Sequence, residues 1–148
     1  MIIVKRNVRR RGNAAAIVRA AGLSRAASGS GDNRIQLVQN GTFASDTLWT
    51  KTTWTIAAGV ANIAGAATDA MTQSIAITPG LAYLVTFTVT AFTAGTVTPI
   101  LGGTSGMARG SAATFSEIIM AGSTNNLINF SASAATLSID NITILQMG

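Results

Sequence analysis

Residues 84–90 read Leu-Val-Thr-Phe-Thr-Val-Thr, and that strict alternation constrains the fold more than any other stretch of the chain. Val85, Phe87 and Val89 fall on one side of an extended backbone, and Thr86, Thr88 and Thr90 on the other. A helix would scatter those threonines around its circumference. The same period of two begins at Ile35, where Ile35, Leu37 and Gln39 alternate with Gln36, Val38 and Asn40. Residues 49–56 and 60–63 read as a hairpin around Ala57-Ala58-Gly59. Residues 71–77 form a further strand. Thr78-Pro79-Gly80 then sets Pro before Gly in the order that a type II turn prefers. Residues 96–101, 114–120, 127–131 and 137–145 continue the series, separated by Gly, Ser and Asn clusters. Eight or nine short antiparallel strands at this spacing predict an all-β sandwich or barrel.

The alternation does not extend to the N-terminus, and the charge changes at the same place. Residues 1–34 hold eight basic residues, Lys5, Arg6, Arg9, Arg10, Arg11, Arg19, Arg25 and Arg34, against Asp32, a net +7. Residues 35–148 hold Lys51 and Arg109 against Asp46, Asp69, Glu117 and Asp140, a net −2. Threonine is absent from the first segment and abundant in the second. The sequence therefore predicts a basic arm, residues 1–34, and a β domain, residues 35–148. The joint falls in Ser28-Gly29-Ser30-Gly31-Asp32-Asn33, small polar residues that make a flexible connection.

Within the arm, Asn13 can cap a short helix over residues 14–21, with Gly22 as its stop. Two turns are too few for a helix to stand alone in water, so this one needs a partner surface. Fully extended, the arm reaches roughly 110 Å, enough to cross onto a neighbouring subunit. Its Arg-, Ala- and Ser-rich, acid-poor composition also meets the test for an organellar transit peptide. It carries no apolar run of secretory-signal length, and nothing in the chain reaches the ~18 apolar residues of a membrane-spanning helix. No membrane partner is expected.

The chain has no Cys and no His. A disulfide framework, a Cys-based zinc site, a thiol nucleophile and a Ser-His-Asp triad are all excluded. Gly102-Gly103-Thr104-Ser105-Gly106 lacks the Lys-Ser/Thr of a phosphate-binding loop, and no helical pattern follows it; a loop between strands is expected, with Arg109 an isolated charge just beyond. A glycosidase needs two carboxylates facing one another at a fixed separation, and no spacing pairs Asp46, Asp69, Glu117 or Asp140. No catalytic residue and no cofactor are expected.

The body carries a further pattern: Asn40-Gly41-Thr42-Phe43, Trp49, Trp54-Thr55-Ile56, Gly59-Val60-Ala61, Gln73-Ser74-Ile75, Thr78-Pro79-Gly80, Tyr83-Leu84-Val85-Thr86-Phe87 and Ser138-Ile139-Asp140-Asn141-Ile142. Over about residues 38–145 this resembles the carbohydrate-binding-module type of jelly roll, a body also found in tailed-phage virion proteins. The resemblance implies a jelly-roll β-sandwich with the basic arm outside it. Such modules often hold a structural calcium ion, using an acidic residue after Asn-Gly-x-Phe; here that position is Ala44. Asp140 matches the family's acidic position in the last strand and is the one calcium candidate, but calcium takes about six to eight oxygens. Sugar binding in the family uses exposed aromatic platforms. Trp49 and Trp54 are the candidates for glycan contact, although the pattern places both, with Tyr83 and Phe87, in the core.

The Arg cluster would neutralise phosphates on nucleic acid with steep salt dependence, but it lacks interleaved aromatics for base stacking. Bidentate Arg–carboxylate pairing with an acidic protein surface fits better. The expected function is that of a non-enzymatic virion structural protein: a capsid decoration or cement protein whose arm grips neighbouring subunits of the major capsid protein or another virion protein. A tail-associated module for host-surface glycans is the alternative. So little surface charge also predicts a homo-oligomer, a trimer being suited to a capsid.

Overall fold

In a computed structural model of the chain, the described residues are 34–148. The arm residues Lys5, Arg6, Arg9, Arg10, Arg11, Arg19 and Arg25, and the helix expected at 14–21, lie outside them. No helix occurs among the described residues, and the fold is all-β. Six strands form it: β1 (Thr55–Ala57), β2 (Val60–Ser74), β3 (Ala82–Leu101), β4 (Thr104–Ser105), β5 (Ala113–Met120) and β6 (Leu127–Gln146). All pairings are antiparallel, in the order β1-β2-β6-β3-β4, with β5 also beside β3.

Six strands replace the expected eight or nine because three of them are long and bent. The stretch 60–63 and residues 71–74 of the stretch 71–77 merge into β2, 84–90 and 96–101 into β3, and 127–131 and 137–145 into β6; residues 75–77 lie beyond the strand. Each long strand bends at one shared crease. There β2 carries Gly65 and Ala66, β3 carries Gly95 and β6 carries Ala134, all at positive φ. The register slips at the same places, between Ile63 and Ala67 and between Ala94 and Thr96. These are β-bulges, which bend a strand without ending its pairing. Gly95 is obligatory at the crease: a Cβ there would lie 2.3 Å from the Ala134 carbonyl oxygen, at a φ of +82°.

Bending turns one hydrogen-bonded sheet into the two layers of a β-sandwich. In the first layer, Ala61–Ile63 of β2 pair with Leu137–Ile139 of β6, whose C-terminal half pairs with the first half of β3, and β5 completes the edge. In the second, Ala67–Ser74 of β2 pair with the first half of β6, which pairs with Thr96–Leu101 of β3. The inward residues of β6 record each bulge as a change of phase. Ile128, Phe130 and Ala132 are buried, then Ala135, Leu137 and Ile139, then Ile142 and Ile144. The shifts fall at Ala134 and Asn141, both at positive φ. One inserted residue swaps the faces of everything that follows.

The turns fall where the sequence places them, though the first is tighter than the expected Ala57-Ala58-Gly59. Ala57 pairs with Val60, leaving the two-residue loop Ala58-Gly59, both at positive φ, as a type I′ hairpin requires. Gly80 has φ +84°, and Leu81 N–H donates to the Thr78 carbonyl at 3.2 Å, a type II turn. The Tyr83 hydroxyl accepts the Thr78 N–H at 2.8 Å and braces it. Gly102-Gly103 is a tight two-residue turn joining β3 to β4, since Leu101 pairs with Thr104. The strand expected from Ile35 is reduced to a single bridge, Gln36 to Leu145.

Candidate functional site

The residues of the recognisable pattern prove to be structural. Asn40 donates through Nδ2 to the carbonyls of Ser45 and Thr47, at 2.7 and 3.0 Å, and its own carbonyl accepts the Trp49 indole N–H at 3.1 Å. Gly41 lies so close to the last strand that a Cβ would stand 2.2 Å from the Ile142 carbonyl oxygen. Phe43 and Trp49 pack with ring centroids 5.6 Å apart. Trp49 is 6% exposed and Trp54 2%, and the Trp54 indole donates inward to the Asp69 carbonyl at 3.3 Å. Neither tryptophan presents a face to a glycan; both are core, as are Tyr83 and Phe87.

Each of the four carboxylates of the body has a structural partner. Asp46 pairs with Lys51. Asp69 lies within β2, and its Oδ2 accepts the Thr53 N–H at 2.6 Å. Partial burial pushes the Asp69 carboxyl up, but N–H groups of Thr53, Ala70, Thr52 and Trp54 outweigh it and hold the pKa below the usual carboxylate value. Asp140 accepts the N–H of its neighbour Asn141 at 2.7 Å. Among the described residues no three His, Cys, Asp or Glu side chains cluster, at Asp140 or elsewhere.

Arg109 is not an isolated charge. Its guanidinium bonds Glu117 at 2.9 Å and lies over the Phe115 ring, 4.8 Å from the centroid. Glu117 also accepts the Met107 N–H at 2.9 Å. Arg109 is bridged by its backbone to Val97 of the second layer, while Glu117 stands on β5 of the first. The ion pair therefore ties the two layers together along one open side of the sandwich. No sequence signal announces it, because it depends on the bend that brings the layers face to face.

Among the hollows lined by the described residues are two on the surface. One, of about 270 Å³, is lined by Gln39, Leu48, Thr50, Gln73 and Ser74. The other, of about 180 Å³ at the crease, has Phe92 among Asn62, Thr93, Thr136 and Ser138. Both fall below the ~300–1,000 Å³ usual for small-molecule sites.

The outward face of the first layer is different in kind. Register sets Leu145, Leu84 and Ile118 side by side across β6, β3 and β5. Ile118 is 59% exposed and Met120, two residues along, 58%. The next row is Thr143, Thr86 and Ser116, with the Thr86 and Ser116 hydroxyls sharing a hydrogen bond of 2.8 Å. Thr88 and Thr114 repeat that contact at 2.8 Å. A sheet face with an apolar row beside a hydroxyl band suits another protein surface better than a small ligand.

Two solved structures share this architecture. A carbohydrate-binding module, described as CBM4, superposes with a TM-score of 0.51 at 18% identity, covering 74% of this chain and 99% of that one. The enzymatically active domain of tailspike protein 4 of bacteriophage CBA120 gives 0.53 at 18% identity, covering 76% of this chain and 22% of that one. This chain thus spans about a fifth of the tailspike domain's length. At such identity the likeness is one of fold. No family model and no curated protein matches the sequence.

Proposed function

We propose that this chain is a non-enzymatic structural protein of a tailed-phage virion, seated on the capsid as a decoration protein. The observation that carries the reading is the outward row Leu145–Leu84–Ile118 with Met120, an apolar strip on the sheet's outer face in a body with few charges. The same body spends both tryptophans on its core and ties each of its carboxylates to a structural partner. Its chemistry is that of docking. The arm, at net +7, supplies Lys5, Arg6, Arg9, Arg10, Arg11, Arg19 and Arg25 for acidic patches on neighbouring coat subunits. Once the body is docked, arm binding becomes intramolecular, so modest contacts add up to firm attachment. Co-sedimentation with undecorated capsids tests this: full-length protein should pellet with particles, and protein lacking residues 1–34 should pellet much less. Equal binding by the two forms would sink the arm's role.

The likeness to CBM4 and to a phage tailspike favours a second reading, a tail-associated module for host-surface glycans. In that case the hollow beside Leu48 and Gln73 is the place for a sugar, and the arm anchors the module to the tail. A glycan array without hits, with and without calcium, would count against it.

A further inference from the structure

We propose that two copies of this chain pair antiparallel along the outer edge of β5, joining their first layers into one continuous sheet. Ala113–Met120 pairs with β3 on one side without a bulge, from Val89–Ala113 to Ala82–Met120. Among the described residues no strand pairs with its other side. Such an edge presents alternating N–H and C=O groups, a template for another strand.

Edges of this kind are ordinarily blunted by Lys, Pro, a bulge or shortness. β5 reads Ala-Thr-Phe-Ser-Glu-Ile-Ile-Met and uses none of them. Its one charge, Glu117, is occupied by Arg109. The other edges are managed. β1 has three residues. In the second layer Thr50 bridges to Thr72 of β2, while β4 and Arg109 cover β3.

The charge pattern selects the occupant. The outward side chains Thr114, Ser116, Ile118 and Met120 are uncharged, so a second copy meets no like-charge conflict and a strongly acidic or basic partner gains nothing. An antiparallel strand edge is also self-complementary about a twofold axis, as an isologous interface requires. Ile118 and Met120, largely exposed in one copy, then become cross-strand neighbours of the partner's outward residues.

The pairing rests on the sheet edge and stands or falls independently of the virion reading. Sedimentation equilibrium of the full chain tests it, with Ile118→Lys and Met120→Lys as variants. Both positions are exposed, and circular dichroism melts check that the variants fold like the wild type. The wild type should sediment at twice the chain mass and each variant at the chain mass. Amide exchange should protect the β5 N–H groups that face away from β3 in the wild type, and that protection should fall on dilution. A wild type that stays at the chain mass at every concentration would overturn the proposal. So would an oligomer that both lysine variants leave intact, or a dimer whose β5 amides exchange freely.

Discussion

Phe87 and Phe130 meet edge to face, with ring centroids 5.1 Å apart and planes at 71°. Phe87 stands on the first half of β3 and Phe130 on the first half of β6, where it pairs with Pro99 and Met71. They belong to opposite layers of one folded sheet, and Phe130 also takes the edge of Trp49 at 6.3 Å. This contact closes the core. Phe130→Ala should cost about 3–5 kcal/mol, read as a fall in the urea midpoint, and should shift the tryptophan emission.

The crease makes a sharper prediction. At Gly95 a Cβ would enter the backbone of Ser133–Ala135, whereas at Gly59, also at positive φ, it would meet open space. Gly59→Ala should cost about 1 kcal/mol, the conformational term alone. Gly95→Ala should cost several times that, because the β3 and β6 backbones must separate. Equal costs in parallel urea titrations would mean that the bend does not depend on this close approach.

How much of this was legible in the sequence depends on what each feature rests on. The strands were, because Val85, Phe87 and Val89 must share a face. The hairpin near Ala57-Ala58-Gly59 and the Pro79-Gly80 turn were, because Gly59 and Gly80 mark them, although the hairpin loop is one residue shorter than expected. The strand count was not. Gly65, Gly95 and Ala134 lie among small residues that read as breaks between strands, yet pairing continues through them as bulges. A signal was present in β6, where the apolar phase shifts from Phe130 to Leu137 and again from Ile139 to Ile142. The Arg109–Glu117 pair and the Leu145–Leu84–Ile118 row were hidden, since both depend on strand register.

The Arg109–Glu117 pair should behave as a unit. Both side chains are mostly buried, and Arg109→Ala leaves Glu117 with the Met107 N–H as its remaining bond. Each single change, Arg109→Ala or Glu117→Gln, should cost about 2 kcal/mol, and the double change much less than their sum. Additive costs in a double-mutant cycle would show that the pair does not hold the layers together.

Asp69 predicts an acid-sensitive element. Its folded pKa lies below the unfolded value of about 3.9. Its contribution is therefore complete above that value and is lost as pH falls through the folded pKa. Asp69→Asn should lower stability at neutral pH by about 1–2 kcal/mol, and the gap to wild type should narrow as pH falls through the folded pKa of Asp69. Urea melts across that range check the sign; a gap that widens in acid would contradict it.

The account turns on attachment through protein contacts, with the arm as the electrostatic grip. The most direct measurement is co-sedimentation of the full chain with undecorated capsids across a salt series, beside a variant in which Arg6, Arg9, Arg10 and Arg11 are Ala. The account predicts that wild-type binding weakens as salt rises, and that the variant binds less at low salt with a flatter dependence. Failure of both proteins to bind at any salt concentration, or identical curves for the two, would contradict it.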